Sequence, residues 1–178
     1  MLKGCLFENG LGMCFYGDPS DLNSLHVTVR KILTVVVDYD LEDTDVSILL
    51  VGFLEKIEQG YSGIGLTGIS LSIKGKQMPY CFGCSWIELL TINGLLRTIE
   101  DYADTDELDQ VNMLLLEYLL AKETSRMEVE DAAIINRCIG RKFSYLSIKQ
   151  FIADFNYDID DCGSEMDVSA LINKRYES

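Results

Sequence analysis

Tyr80-Cys81-Phe82-Gly83-Cys84-Ser85-Trp86-Ile87-Glu88-Leu89-Leu90-Thr91-Ile92-Asn93-Gly94-Leu95-Leu96-Arg97-Thr98-Ile99-Glu100-Asp101-Tyr102 is the stretch on which the fold turns. It starts with an alternating run, Tyr80, Phe82 and Cys84, which reads as a strand. Ser85 and Glu88 then make an S-x-x-E capping box, which satisfies free N–H groups where a helix begins. From Trp86 to Ile99 apolar side chains fall on almost every side of a 3.6-residue helix, and a helix apolar all round is a buried one. The stretch therefore reads as a strand running into a central core helix.

Toward the N-terminus, Asn9-Gly10 is a strong hairpin-turn signal. It lies between the strand-like runs Leu2–Glu8 and Leu11–Tyr16. A two-residue turn there sets Glu8 against Leu11 and Cys5 against Cys14, the latter as a non-hydrogen-bonded pair. Asp18-Pro19-Ser20-Asp21 opens a helix, with Pro in the first turn and acids at the positive dipole end. Leu22, Leu25, His26, Val29, Ile32, Leu33 and Val36 repeat along one face of it. After the acidic segment Asp38–Asp45 comes a second helix with Val46, Leu49, Leu50, Phe53, Leu54 and Ile57 on one face. Glycines from Gly60 to Gly68 end it. Ile69, Leu71 and Ile73 then alternate with polar residues as a strand, and Gly75-Lys76 turns the chain back toward Tyr80.

Toward the C-terminus the strand signals stop. Asp104 with Glu107 reads as the cap of a helix whose apolar face is Leu108, Val111, Leu115, Tyr118 and Leu119. Ser125 with Glu128 reads as the cap of the next, running through Ala132, Ile135 and Ile139 to a stop at Gly140. Ile148, Phe151, Ile152 and Phe155 mark a further amphipathic segment, and Val168, Leu171 and Ile172 a last short one. The expected fold is α+β: one small antiparallel sheet from two hairpins, covered by helices, with an all-helical C-terminal half. We read residues 1–178 as a single domain, with an α+β lobe over 1–103 and a helical lobe over 104–178.

Gly12, Gly17-Asp18, Asp21-Leu22 and Leu25, with the later pattern Tyr80-x-Phe82-x-x-x-Trp86-x-Glu88, resemble a family of small uncharacterised bacterial proteins. The resemblance covers roughly residues 9–101. It implies a strand, a Gly-Asp turn and a Leu-rich helix, then a strand–helix junction. It implies no activity and transfers no functional residue.

Fifteen Lys+Arg against 29 Asp+Glu give a net charge of −14, which makes nucleic acid and anionic membranes poor partners and a basic protein surface a good one. An acidic chain with no charged partner is the plain alternative. No apolar run reaches the ~18 residues that span a bilayer. The N-terminus lacks the apolar region of a signal peptide, so a cytoplasmic location is expected. There the six cysteines are expected to be reduced, buried thiols.

Each motif with chemical content has a structural competitor. Gly63-Ile64-Gly65-Leu66-Thr67-Gly68 matches G-x-G-x-x-G. It follows a helix and precedes a strand, the reverse of the order a dinucleotide requires, so no cofactor is expected. Cys81 and Cys84 form a lone C-x-x-C. Within a strand they point to opposite faces, and zinc needs two further ligands. His26, the only histidine, sits on an apolar helix face, and no G-x-S-x-G elbow accompanies it. Asp154, Asn156, Asp158, Asp160 and Glu165 occupy positions 1, 3, 5, 7 and 12 of a calcium loop. Ile159 stands where the sharp-turn glycine belongs, so metal binding there is expected to be weak or absent.

Three functions stay open: an acidic protein-binding module, such as an immunity or inhibitor protein capping a basic toxin or nuclease surface; a small enzyme using Asp/Glu chemistry; or a calcium-responsive helix–loop–helix module. The first needs no motif and is the preferred reading. Its expected partner-binding residues lie on three acidic segments read as un-neutralised. They are Asp38, Tyr39, Asp40, Glu42, Asp43 and Asp45; Tyr102, Asp104 and Asp106; and Tyr157, Asp158 and Asp160. The tyrosines serve as anchors beside the acids. No catalytic residue and no metal ligand is expected.

Overall fold

The computed structural model describes residues 1–7, 10–38, 45–63, 72–73, 76–77 and 80–142. Strands β1 (Lys3–Leu6) and β2 (Gly12–Tyr16) form a hairpin, followed by helices α1 (Pro19–Asp38) and α2 (Asp45–Tyr61). Two short strands, β3 (Ser72–Ile73) and β4 (Lys76–Gln77), lead to β5 (Cys81–Ser85) and the central helix α3 (Trp86–Ile99). A single 3-10 turn (Glu100–Tyr102) precedes α4 (Glu107–Thr124) and α5 (Val129–Cys138).

The α+β architecture matches the sequence reading, but the sheet is built differently. Its order is β1-β2-β5, antiparallel throughout, so β5 pairs with β2 of the first hairpin. The expected second hairpin, pairing the Ile73 strand with the Tyr80 strand around Gly75-Lys76, is not what forms: Ser72–Ile73 pairs with Lys76–Gln77 in a separate two-stranded ribbon. The physical reason is burial. Pairing with β2 stacks Phe82 on Phe15 at 5.2 Å and sets Phe53 of α2 edge-on to Phe82 at 5.7 Å.

The first hairpin keeps the expected register, with Cys5 opposite Cys14. Its tip differs. The Gly10 N–H donates to Phe7 O at 3.0 Å and the Phe7 N–H to Gly12 O at 2.9 Å, with Gly10 in the left-handed region at φ 72°. Bonds alternate along an antiparallel ladder, so this contact makes Cys5 and Cys14 a hydrogen-bonded pair instead of the expected non-bonded one. Trp86 ties the tip to α3: its indole Nε1–H donates to Gly10 O at 2.9 Å and its backbone N–H to Leu11 O at 3.2 Å.

The helix α3 is buried on nearly every side, as read, from Trp86 to Leu96. Ser85 caps it by accepting from the Glu88 N–H at 3.3 Å. The carboxylate half of the box is spent elsewhere, because Lys56 of α2 holds Glu88 at 2.6 and 2.7 Å. Core side chains of α4 and α5, among them Met113, Leu116, Leu119, Leu120, Ile134 and Ile135, belong to the same cluster as Phe15, Phe53 and Trp86.

Two caps move. The N-cap of α4 is Asp106, with Asp109 completing its box, and not Asp104 with Glu107. Ser125 closes α4 instead of opening α5, which starts at Glu128 without a side-chain cap. The larger correction is the face of α4. Leu108, Val111 and Tyr118, read as core, are 59%, 55% and 57% exposed, while Asp109, Asn112, Glu123 and Thr124 are buried.

Candidate functional site

Polar side chains explain the rotation of α4. The Asp109 carboxylate, 2% exposed as a residue, accepts from the Thr28 hydroxyl at 2.8 Å, from Lys31 at 2.6 Å and from the Asp106 N–H at 2.9 Å. Asn112 donates to the Ser24 hydroxyl and to the Thr28 hydroxyl, each at 2.9 Å. Every one of these bonds runs between α4 and α1 or caps α4. A buried polar group costs about 1–3 kcal/mol if left unpaired, so the helix settles with this set inside. Lys31 also holds Asp106 at 2.8 Å, which keeps the Asp106 carboxyl below its usual range.

A second network closes the other flank. Arg97 clamps Glu117 through two bonds of 2.6 and 2.8 Å and reaches Glu100 at 3.0 Å. Burial alone would raise the Glu117 carboxyl, but the Arg97 and Asn93 bonds outweigh it and the net direction is down. Asn93 in turn accepts from the Gly140 N–H at 2.8 Å, and Lys142 holds Asp101 at 2.5 Å.

These contacts change the expected partner surface. Cations from α1, from α3 and from the chain beyond α5 fold onto the segment Glu100–Asp109. Asp106 is a cap and an ion-pair partner, and Glu100, Asp101 and Asp109 are paired. Tyr102, Asp104 and Glu107 remain exposed there. Asp38 is exposed at the end of α1, and Asp45 is the first residue of α2. Tyr39, Asp40, Glu42, Asp43, Tyr157, Asp158 and Asp160 lie outside the described residues, as do most of the glycine motif and the whole Asp154–Glu165 segment.

Of the described cysteines, Cys14, Cys81, Cys84 and Cys138 are buried and Cys5 is half-buried. Cys81 and Cys84 are buried and pair with Tyr16 and Met13 respectively, on opposite faces of the sheet. The Cys14 thiol lies between those of Cys5 and Cys81. Its hydrogen bond with Cys5 and its burial push it well above the usual thiol range, and the same bond holds Cys5 down. His26 is half-buried with its ring edge-on to Tyr61 at 5.6 Å, and desolvation lowers its pKa. Among the described residues, no three His, Cys, Asp or Glu side chains are placed to hold a metal ion. No helix among them is long and apolar enough to cross a membrane.

What the sequence did not indicate is an open groove of about 530 Å³ between α1 and α2. Leu33 and Val37 of α1 face Ser47, Ile48, Val51, Gly52 and Glu55 of α2. Ile48 is 66% exposed, and Val37 and Val51 about two-fifths. A Cβ added at Gly52 would meet nothing within 4 Å, so the glycine leaves a notch in the helix wall. The groove lies where α1 ends at Asp38 and α2 begins at Asp45, the two ends of an acidic segment. The exposed Ile48 and Val51, outside the expected stripe of α2, were the available signal.

Comparison with protein-family models, with curated proteins and with solved structures gives no match.

Proposed function

We propose that this chain is an acidic protein-binding module whose α1–α2 groove receives a basic amphipathic helix, in the manner of a bacterial immunity or inhibitor protein that caps a basic toxin or nuclease surface in the cytoplasm. The observation that carries the reading is the coincidence of apolar lining and acid. Ile48, Val51, Val37 and Leu33 offer anchor contacts, while Glu55 lines the groove and Asp38 stands at the end of α1. Helix-in-groove recognition uses anchors at i, i+3, i+4 and i+7, with charge supplying encounter rate and orientation. A net charge of −14 selects a cationic partner and repels an acidic one.

The test uses a fluorescent amphipathic Leu/Lys helical peptide as probe, with a Leu/Glu peptide of the same pattern as control. Micromolar binding of the basic peptide, weakening with salt, is expected. Gly52→Arg fills the notch and adds a like charge, yet improves helix propensity by about 0.5–1 kcal/mol because glycine is the costly residue there. That variant should fold at least as well and lose binding about tenfold or more, about 1.4 kcal/mol. Equal binding by wild type and Gly52→Arg, or equal binding of both peptides, overturns the reading.

A further inference from the structure

The outer face of α4 stands apart from this groove and does not depend on it. Leu108, Val111, Leu115 and Tyr118 are spaced i, i+3, i+7 and i+10, the seam of a heptad, and Leu114 widens the stripe. Leu108, Val111, Leu114 and Tyr118 are each more than half exposed. An apolar band on a helix calls for a cover. We propose that α4 is a self-association face: a second copy of this chain covers the stripe in an antiparallel, two-fold pairing.

Three observations choose this occupant. The first is self-complementary charge. The N-terminal end of α4 carries the exposed Glu107, with Asp104 just before it, and the C-terminal end carries the exposed Lys122, while Arg126 beyond it is paired with Glu123 at 2.7 Å. Turning a second copy end for end about an axis near Leu114 and Leu115 sets Glu107 against Lys122 of that copy, twice. It also sets Val111 against Tyr118. Antiparallel pairing further opposes the two helix dipoles, which is the favourable arrangement.

The second observation is where the chain leaves the described structure. Gly140 packs beside Glu117, and Lys142 reaches Asp101. At about 100° per residue, Glu117 lies about 140° round α4 from the centre of the stripe. The last described residues, Gly140 to Lys142, therefore lie on the far flank of α4 from the stripe. The third is that the buried face of α4 is already occupied by the Asp109 and Asn112 network, so the helix cannot turn its stripe inward without breaking it.

One helix pair buries less than a large obligate interface, so association is expected in the micromolar range. Sedimentation equilibrium of the full chain at physiological ionic strength, from about 10 µM to about 1 mM, should show the mass rising toward twice 20.0 kDa. Physiological salt is needed because two copies of charge −14 repel at long range. Glu107→Lys and Lys122→Glu should each weaken association by about tenfold, since each change acts twice across the axis. The double exchange should restore it, even though it is the worst of the three for the helix dipole. Circular dichroism confirms that each variant is folded.

A chain that stays monomeric over the whole range overturns the proposal. So does a dimer indifferent to both charge exchanges and to Val111→Glu. A third result also refutes it: a monomer whose α4 amides lose protection from hydrogen exchange when the chain is cut after Lys142, because the chain's own C-terminal segment is then the cover.

Discussion

Replacing Asp109 by alanine tests why α4 faces the way it does. The carboxylate carries three bonds, and their loss can be counted. The Thr28 hydroxyl, 1% exposed as a residue, would lose its 2.8 Å charged acceptor and keep only the longer 3.3 Å bond to Ser24 O, at a cost of about 1–3 kcal/mol for a bond to a charged group. The Asp106 N–H would lose half of a capping box, about 1 kcal/mol. The Lys31 contact is left out of the sum, because that ammonium is water-facing and screened. The total is about 2–4 kcal/mol, which in a chain of this size lowers Tm by roughly 10 °C. Asp109→Asn keeps an acceptor for Thr28 and should lose about half as much. Thr28→Val removes the donor, so the pair Thr28→Val with Asp109→Ala should be less harmful than the two losses added, with a coupling of at least about 1 kcal/mol. Urea unfolding of the four proteins measures this directly. If the losses add within about 0.5 kcal/mol, the network does not act as a unit and cannot be what turns the apolar stripe outward.

Two further outcomes follow from the packing and the titrating groups. A Cβ at Gly12 would collide with Cys84 O and lie 2.9 Å from Ser85 Cα, backbone atoms that cannot swing away, so Gly12→Ala should cost about 1–3 kcal/mol of unfolding free energy, read as a lowered urea midpoint. Burial, with Glu58 opposing and Arg30 assisting, holds His26 below its ordinary pKa of about 6.5. The unfolded chain therefore takes up that proton first, and stability should be flat above pH ~6.5 and fall as the pH drops through that value. Glu117, Asp106 and Asp21, whose carboxyls are lowered, add a second loss below pH ~4, where the unfolded chain protonates them first. In His26→Gln the upper step should vanish and the lower one remain; an unchanged profile refutes the assignment.

The parts of the fold that could be read were those with one solution. From Trp86 to Leu96 α3 is apolar on nearly every side, so burial was the only outcome. The α1 stripe of Leu22, Leu25, Val29, Ile32 and Val36 is flanked by polar residues and lies in the core. The register of Cys5 on Cys14 also followed from sequence, because a one-residue slip would have reversed every side chain. Misreadings came where two solutions competed. The α4 sequence has two apolar stripes, Leu108-Val111-Leu115-Tyr118 and Met113-Leu116-Leu119-Leu120. Periodicity cannot rank them, and what does is a set of partners on α1 some 80 residues away. The caps failed for the same reason. Asp104 and Asp106 are both plausible N-caps, and Lys31, distant in sequence, stands over the second.

The same long-range contacts alter how the charge of this chain is to be understood. Net charge treats acids as a field, and three acidic segments invited that view. The one segment that is described throughout is largely spent inside the molecule. Between Glu100 and Asp109, four of six carboxylates are spent on Lys31, Arg97 and Lys142, so that segment is mostly a fastener between helices. A fastener has little field left to steer a partner, because paired charges cancel within a Debye length of about 8 Å. The acids beside the α1–α2 groove stand next to uncovered isoleucine and valine instead. An exposed acid adjoining an exposed apolar wall attracts a cation and rewards an apolar side chain in one place, which is the chemistry of a basic amphipathic helix. Among the described residues, the acids packed between α1 and α4 act within the molecule, while Asp38 and Glu55 at the groove and Glu107 on the outer face of α4 are left open to solvent.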